Sequence, residues 1–171
     1  MSTLVLRPVT VEDESVALAA HETMAAEDFP FLLAYGEDGT FAEYVARLAR
    51  LERGEPPLGR YVASSFRLAE VDGEVVGRSS IRHELNDFLR HEGGHIGYCV
   101  LPPHRRRGYA TEILRQSLEI TDAHGIDAVL VTCDDDNVGS ATVIEAAGGV
   151  LEDVVESESG VPTRRYWISR A

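Results

Sequence analysis

Apolar and polar positions change period along this chain, and each change marks an element. Leu4 to Arg7 is a short apolar-rich run ahead of Pro8 and reads as a first strand. Thr10 is a good capping residue, and the alanine-rich stretch from Val11 to about Ala26 predicts a helix behind it. A loop with Phe29-Pro30 and Gly36-Glu37-Asp38-Gly39 follows. Thr40 with Glu43 is a capping box, and Phe41, Tyr44, Val45, Leu48 and Leu51 recur at helical spacing, so an amphipathic helix runs to about Gly54.

The period then shortens. Tyr61 to Glu70 and Glu74 to Leu85 read as two antiparallel strands, with the Asp72-Gly73 pair between them as a hairpin turn. Gly93-Gly94 breaks the chain before a short strand from His95 to Val100, which Pro102-Pro103 prevents from continuing. A helix opening near Thr111 carries Ile113, Leu114, Leu118 and Ile120 and stops at Gly125. Ala128 to Thr132 is a buried strand, and Val138 to Ala147 a helix closed by Gly148-Gly149. Val150 to Glu156 and Arg164 to Ile168 form a last hairpin about Gly160. The order predicts one mixed α/β domain over residues 1–171, and 44% hydrophobic content at 171 residues is enough for a sizeable core.

Charge narrows the chemistry. Sixteen basic against 29 acidic residues leave a net charge of -13, which argues against a nucleic-acid partner and favours cationic substrates. Every basic residue is Arg, so Schiff-base and phosphate-loop lysines are excluded. No stretch of 18 apolar residues occurs and the N-terminus does not read as a signal peptide, so the expected setting is cytoplasmic, with no membrane partner. Cys99 and Cys133 lie in apolar stretches and read as buried free thiols.

The segment Arg105-Arg106-Arg107-Gly108-Tyr109-Ala110 joins a strand to a helix, where backbone N–H groups and the helix dipole converge on an anion. Gly108 allows close backbone approach, and amides from about Arg106 to Thr111 would cradle a pyrophosphate against local arginine charge. With Val100 and Pro102 ahead of Arg105, Gly108 and Ala110, the chain resembles the GNAT superfamily of N-acetyltransferases. Gly94-His95-Ile96-Gly97-Tyr98, Arg82-His83 and Arg165-Tyr166-Trp167-Ile168 are similar to a little-characterised bacterial branch of it.

That resemblance implies a central twisted mixed sheet of about six to seven strands flanked by about four helices. It also implies acetyl-CoA as acyl donor, an amine acceptor (small amine, antibiotic or protein amino group) and, as in many relatives, a homodimer. The backbone of Tyr98, Cys99 and Val100 would pair with the pantetheine arm and polarise the thioester carbonyl where this strand splays from the next. Asn137 matches a cofactor-contacting Asn of the family, with Ser140 one turn on; by residue type Asn137 reads equally as a helix cap. The family often carries a Tyr seven residues later to protonate the leaving thiolate, but here that position is Ile144, which leaves Tyr98 and Tyr109 as substitutes. A catalytically silent acyl-CoA sensor, or a domain binding another anion, are the alternatives.

His95 is the side chain best matched to deprotonating an amine near neutral pH, with Glu84 as a second base. The acceptor site is expected to draw on residues 22–40 and on Arg82, His83 and Glu84. Asp134, Asp136 and Glu145 imitate a calcium loop, but Val138 sits where an oxygen ligand is needed and a strand precedes it; His83, His91 and His95 have no zinc spacing, so no metal is expected.

Overall fold

The computed structural model describes residues 2–170. Seven strands form one sheet: β1 (Leu4–Pro8), β2 (Ser64–Val71), β3 (Glu74–Arg82), β4 (Ile96–Val100), β5 (Ala128–Asp134), β6 (Val150–Glu156) and β7 (Pro162–Ser169), in the order β1-β2-β3-β4-β5-β7-β6. All neighbours are antiparallel except β4 and β5, which run parallel and meet at one register position, Ile96 opposite Val131. Four α-helices flank it: α1 (Glu14–Ala25), α2 (Phe41–Glu52), α3 (Tyr109–Ala123) and α4 (Val138–Ala146). This is the mixed α/β architecture the sequence predicted.

Local chemistry explains the boundaries. Before α1, a short 3₁₀ turn over Val11–Asp13 is fixed by Asp13, whose carboxylate accepts from the Thr10 N–H at 2.7 Å and pairs with Arg7 at 2.8 Å. The capping box of α2 is formed as expected, with Glu43 N–H donating to Thr40 Oγ1 at 3.1 Å and Thr40 N–H to the Glu43 carboxylate at 2.8 Å. Asp72 (φ 51°) and Gly73 (φ 82°) both take the left-handed conformation a two-residue hairpin demands.

Two expectations shift. β2 begins at Ser64 and not at Tyr61, and β3 ends at Arg82 and not at Leu85, although His83 N–H still donates to Ala63 C=O at 2.8 Å. Asn86 Oδ1 accepts from the Leu89 N–H at 2.9 Å and starts a π-helical turn over Leu89–Gly93, which periodicity did not reveal.

The core lies on both sheet faces. On one, Phe31, Leu32 and the buried sides of α1 and α2 cover Phe66, Leu68 and Val75. On the other, Leu114 and Leu118 of α3 and Ile144 of α4 pack on Ile81, Ile96, Val129, Val131 and Tyr166. Strand alternation assigns β3 side chains to these faces: Arg78, Ser80 and Arg82 turn toward α1 and α2, while Ser79 bonds Ser117 of α3 at 2.7 Å and Ile81 joins the opposite core.

Candidate functional site

The geometry begins at the splay between β4 and β5. Arg82 N–H donates to His95 C=O at 2.7 Å and Leu101 N–H to Val76 C=O at 2.8 Å. From Gly97 onward the odd-numbered positions exchange bonds with β3, while His95 N–H donates instead to Leu130 C=O at 2.7 Å, and the N–H and C=O groups of Ile96, Tyr98 and Val100 face β5. The strands part after Ile96 and Val131, so the backbone of Tyr98 has no partner strand on that side. Val100 C=O accepts from Arg105 Nε at 3.0 Å. A cleft of about 820 Å³ opens here, between the end of α1, β4 and the N-termini of α3 and α4.

One wall is the turn before α3. Arg105 pairs with Glu27 through contacts of 3.0 and 2.7 Å, which latches the turn to the end of α1. Arg106 (φ 65°) and Gly108 (φ 82°) are left-handed, and Gly108 is the N-terminal cap residue of α3. No side chain caps this helix; its first hydrogen bond runs from Glu112 N–H to Gly108 C=O at 3.3 Å. Among the described residues, the amides from Arg106 to Thr111 find no acceptor in the protein. Such converging, unsatisfied donors at a helix N-terminus are the arrangement that binds phosphate groups.

Most of the residues expected at the cofactor meet at this cleft. Tyr98, Cys99 and Val100 line one side; Arg105, Arg106, Gly108, Tyr109, Ala110 and Thr111 line the turn; Asn137 and Ser140 close the far end. Arg107 is exposed and lies outside the lining. Local positive charge on the cleft comes from Arg106, since Arg105 is matched by Glu27. Asn137 does cap α4, its Oδ1 accepting from the Ser140 N–H at 3.1 Å.

Tyr98 reaches across the splay to Ser140, with 3.1 Å between the hydroxyl oxygens. Burial pushes its pKa up to about 12 against the opposing effect of the Ser140 hydrogen bond, so the hydroxyl stays protonated at neutral pH. Ile144 is fully buried in the core beneath α4. Burial also raises the Cys99 thiol pKa, which keeps it from being a thiolate.

The expected base requires a correction. His95 is 5% exposed and lines neither this cleft nor the second cavity described below. Its Nδ1 accepts from the Leu130 N–H at 2.9 Å, so in the neutral ring the proton sits on Nε2 and no lone pair is left for a substrate. Burial first, then the charges of Arg90 and Arg82, pull its pKa down to about 4. The side chain pins the start of β4 to β5, and polar sequence surroundings gave no sign of that partner.

A second cavity, about 550 Å³, lies on the α1/α2 face between α2, β2, β3 and the loop after β3. Leu33 and Ala34 line it, from the segment expected to contribute. Of the three residues expected at the acceptor, it takes only Arg82. His83 is the next residue along β3 and so faces the other side, where its ring stacks on His124 at 3.7 Å and its Nε2 lies 2.9 Å from Ser65 Oγ. Glu84 is exposed past the strand end and lines neither cavity.

Sequence reasoning missed Arg78 and Glu158 and took in Phe29 only as part of residues 22–40. Arg78 is fully buried; its guanidinium donates to the carbonyls of Pro30 at 2.8 Å, Phe31 at 3.0 Å and Gly97 at 2.8 Å and stacks over Phe29 at 4.8 Å. It thus ties the loop after α1 to β4 between the two cavities, for Phe29 lines the first and Phe66, 5.8 Å from the same guanidinium, lines the second. Among the described residues, Glu158, in the β6–β7 hairpin, is the one carboxylate lining the second cavity. An arginine inside a strand was the available signal for Arg78; nothing local marked Glu158, and Phe29, within the segment 22–40 expected at the acceptor, lines the first cleft. Asp135 of the acidic turn pairs with Arg164 at 2.7 Å.

A family model described as an acetyltransferase (GNAT) domain matches residues 3–150. No curated protein sequence matches the chain. Among solved structures, Mycobacterium smegmatis RimJ in complex with CoA-disulfide is similar with TM-score 0.74 and 20% identity, over 97% of this chain and 81% of that one. A GNAT-family acetyltransferase from Streptococcus pneumoniae gives 0.71 and 18%, over 99% and 100%. The acetyltransferase yncA of Salmonella typhimurium, solved with its cofactor acetyl-CoA, gives 0.65 and 13%, over 98% and 94%. At these identities the structural likeness is one of fold.

Proposed function

Since the chain belongs to the GNAT family of acetyltransferases, we propose that it acts as one domain that transfers the acetyl group of acetyl-CoA to a primary amine. The observation that carries this reading is the run of amides from Arg106 to Thr111 that, among the described residues, find no protein acceptor and share a cleft with the unpaired backbone of Tyr98. A pyrophosphate fits the first and a pantetheine amide the second. The ligands of solved structures with this fold, acetyl-CoA with yncA and CoA-disulfide with RimJ, support the assignment.

Direct attack is favoured over a covalent relay, because Cys99, which lines the cleft, has its thiol pKa raised by burial. The amine nitrogen bonds to the acetyl carbonyl carbon, the Tyr98 N–H donates to the developing oxyanion, and the carbon–sulfur bond breaks as CoA leaves. Tyr98 then supplies a proton to the departing sulfur, a function the buried Ile144 cannot perform, and regains one from solvent through Ser140. The nitrogen of the tetrahedral intermediate releases its second proton to water. The acceptor enters by the second cavity, where Glu158 receives the ammonium proton before attack.

Incubation of the purified protein with acetyl-CoA and a broad amine panel, with acetylated product followed by mass spectrometry, tests the proposal. Acetylation of at least one amine above the uncatalysed rate supports it. Tight CoA binding with no product across the panel would replace it by an acyl-CoA sensor.

A further inference from the structure

Among the described residues, Arg82 is the one cation lining the second cavity that has no carboxylate partner. Arg47 is paired with Asp38 at 3.0 Å, and Arg60 with Glu37. Among the described residues, the guanidinium of Arg82 meets only the Gly93 carbonyl, at a long 3.4 Å. Its charge is held in a site that disfavours it: burial first, then neighbouring Arg78, pull its pKa down to about 10. A guanidinium so placed calls for an anion, and its planar fork suits a carboxylate.

The surroundings specify the rest of the ligand. Leu48, Leu51, Phe66, Phe88 and Leu89 give the cavity apolar walls. A Cβ placed on Gly97 would lie 3.1 Å from Arg82 Nη1, so Arg82 presses against β4 one residue before Tyr98. One strand residue spans about 3.3 Å. The anion site therefore lies beside the stretch of β4 assigned to the thioester, which suits an acceptor whose carboxylate sits close to its amino group.

We infer that the acceptor is a free α-amino acid with an apolar side chain, its carboxylate held by Arg82 and its side chain against the walls of the second cavity. This rests on the acetyltransferase reading of the same site. The protein's overall negative charge is no obstacle, because a zwitterion carries no net charge to be steered or repelled. A peptide or protein N-terminus lacks the carboxylate at that spacing and leaves Arg82 unmatched.

The test is calorimetric titration of the CoA-loaded protein with L-leucine, L-methionine and L-phenylalanine, with their carboxamides, and with an Ala-Leu-Phe peptide amide. At least one amino acid is expected to bind tenfold or more tightly than its carboxamide and than the peptide amide. In Arg82→Gln that ratio should fall to about one, and Arg82→Lys should restore part of it. Carboxamide or peptide binding equal to that of the amino acid would overturn the inference, as would absence of binding by all three amino acids. The amide comparison on the unaltered protein decides even if the variants fold poorly. Loss of acetyl-CoA binding would instead defeat the acetyltransferase reading, so the two failures are distinct.

Discussion

His95→Gln separates a structural from a catalytic histidine. The ordinary histidine pKa of 6.5 falls to about 4 in the fold, and the side chain is 5% exposed. A depressed pKa means the folded state prefers the neutral ring, so the unfolded chain takes up the proton first as pH falls. The stabilisation is complete above pH 6.5 and is lost progressively from there down to about 4. Linkage between these two pKa values gives a loss of about 2 kcal/mol between pH 7 and pH 5. Glutamine does not titrate, and its Oε1 can still accept from the Leu130 N–H, so the variant should be about 1 to 2 kcal/mol less stable than wild type at pH 7. By pH 5 the gap should close or reverse. Urea unfolding of both proteins at pH 7, 6 and 5 reads this difference directly, and His83 titrates equally in both. Turnover per folded molecule at pH 7.5 should change less than threefold. A pH-independent stability gap together with a hundredfold fall in kcat would refute the reasoning and return His95 to the chemistry.

Tyr98→Phe should lower kcat about tenfold while acetyl-CoA affinity holds; the effect is modest because a thiol of pKa near 8.5 leaves fairly well unaided. In wild type, Tyr98 with its pKa pushed up to about 12 should cause no loss of kcat on the alkaline side below pH 10, and a pH–rate profile showing such a limb, absent in the Phe variant, would count against the present assignment. Glu158→Gln should depress kcat most at low pH, where an unassisted ammonium seldom loses its proton, and converge on wild type as pH rises toward the amine's own pKa. Equal loss at every pH would remove Glu158 from proton transfer.

The sheet, its hairpins and four helices were legible because each depends on neighbours in sequence: the capping box at Thr40 and Glu43, the Asp72-Gly73 turn, the apolar face of α3. The turn proposed to hold the pyrophosphate was legible as a turn for the same reason, since a strand, a glycine and a helix start are all local. The acceptor side was not. Arg82 and His83 are adjacent in sequence, yet β3 sends them to opposite faces, a consequence of strand alternation that becomes decisive only once the strand's end is known. His95 was misread because its partner, the Leu130 N–H, belongs to a strand 35 residues away. Arg78 and Glu158 acquire their places only through tertiary contacts, with the loop after α1 and with the β6–β7 hairpin meeting the far side of the cavity.

The central claim is that the turn before α3 holds the pyrophosphate of acetyl-CoA. Gly108 stands at φ 82° with no heavy atom within 4 Å of an added Cβ, so Gly108→Ala costs about 1 to 2 kcal/mol of left-handed backbone strain without a clash inside the protein. Calorimetric titration of wild type and Gly108→Ala with acetyl-CoA tests the claim most directly. One-to-one binding that weakens at least tenfold in a folded variant is the predicted result; wild-type affinity in Gly108→Ala, or no binding by either protein, would contradict it.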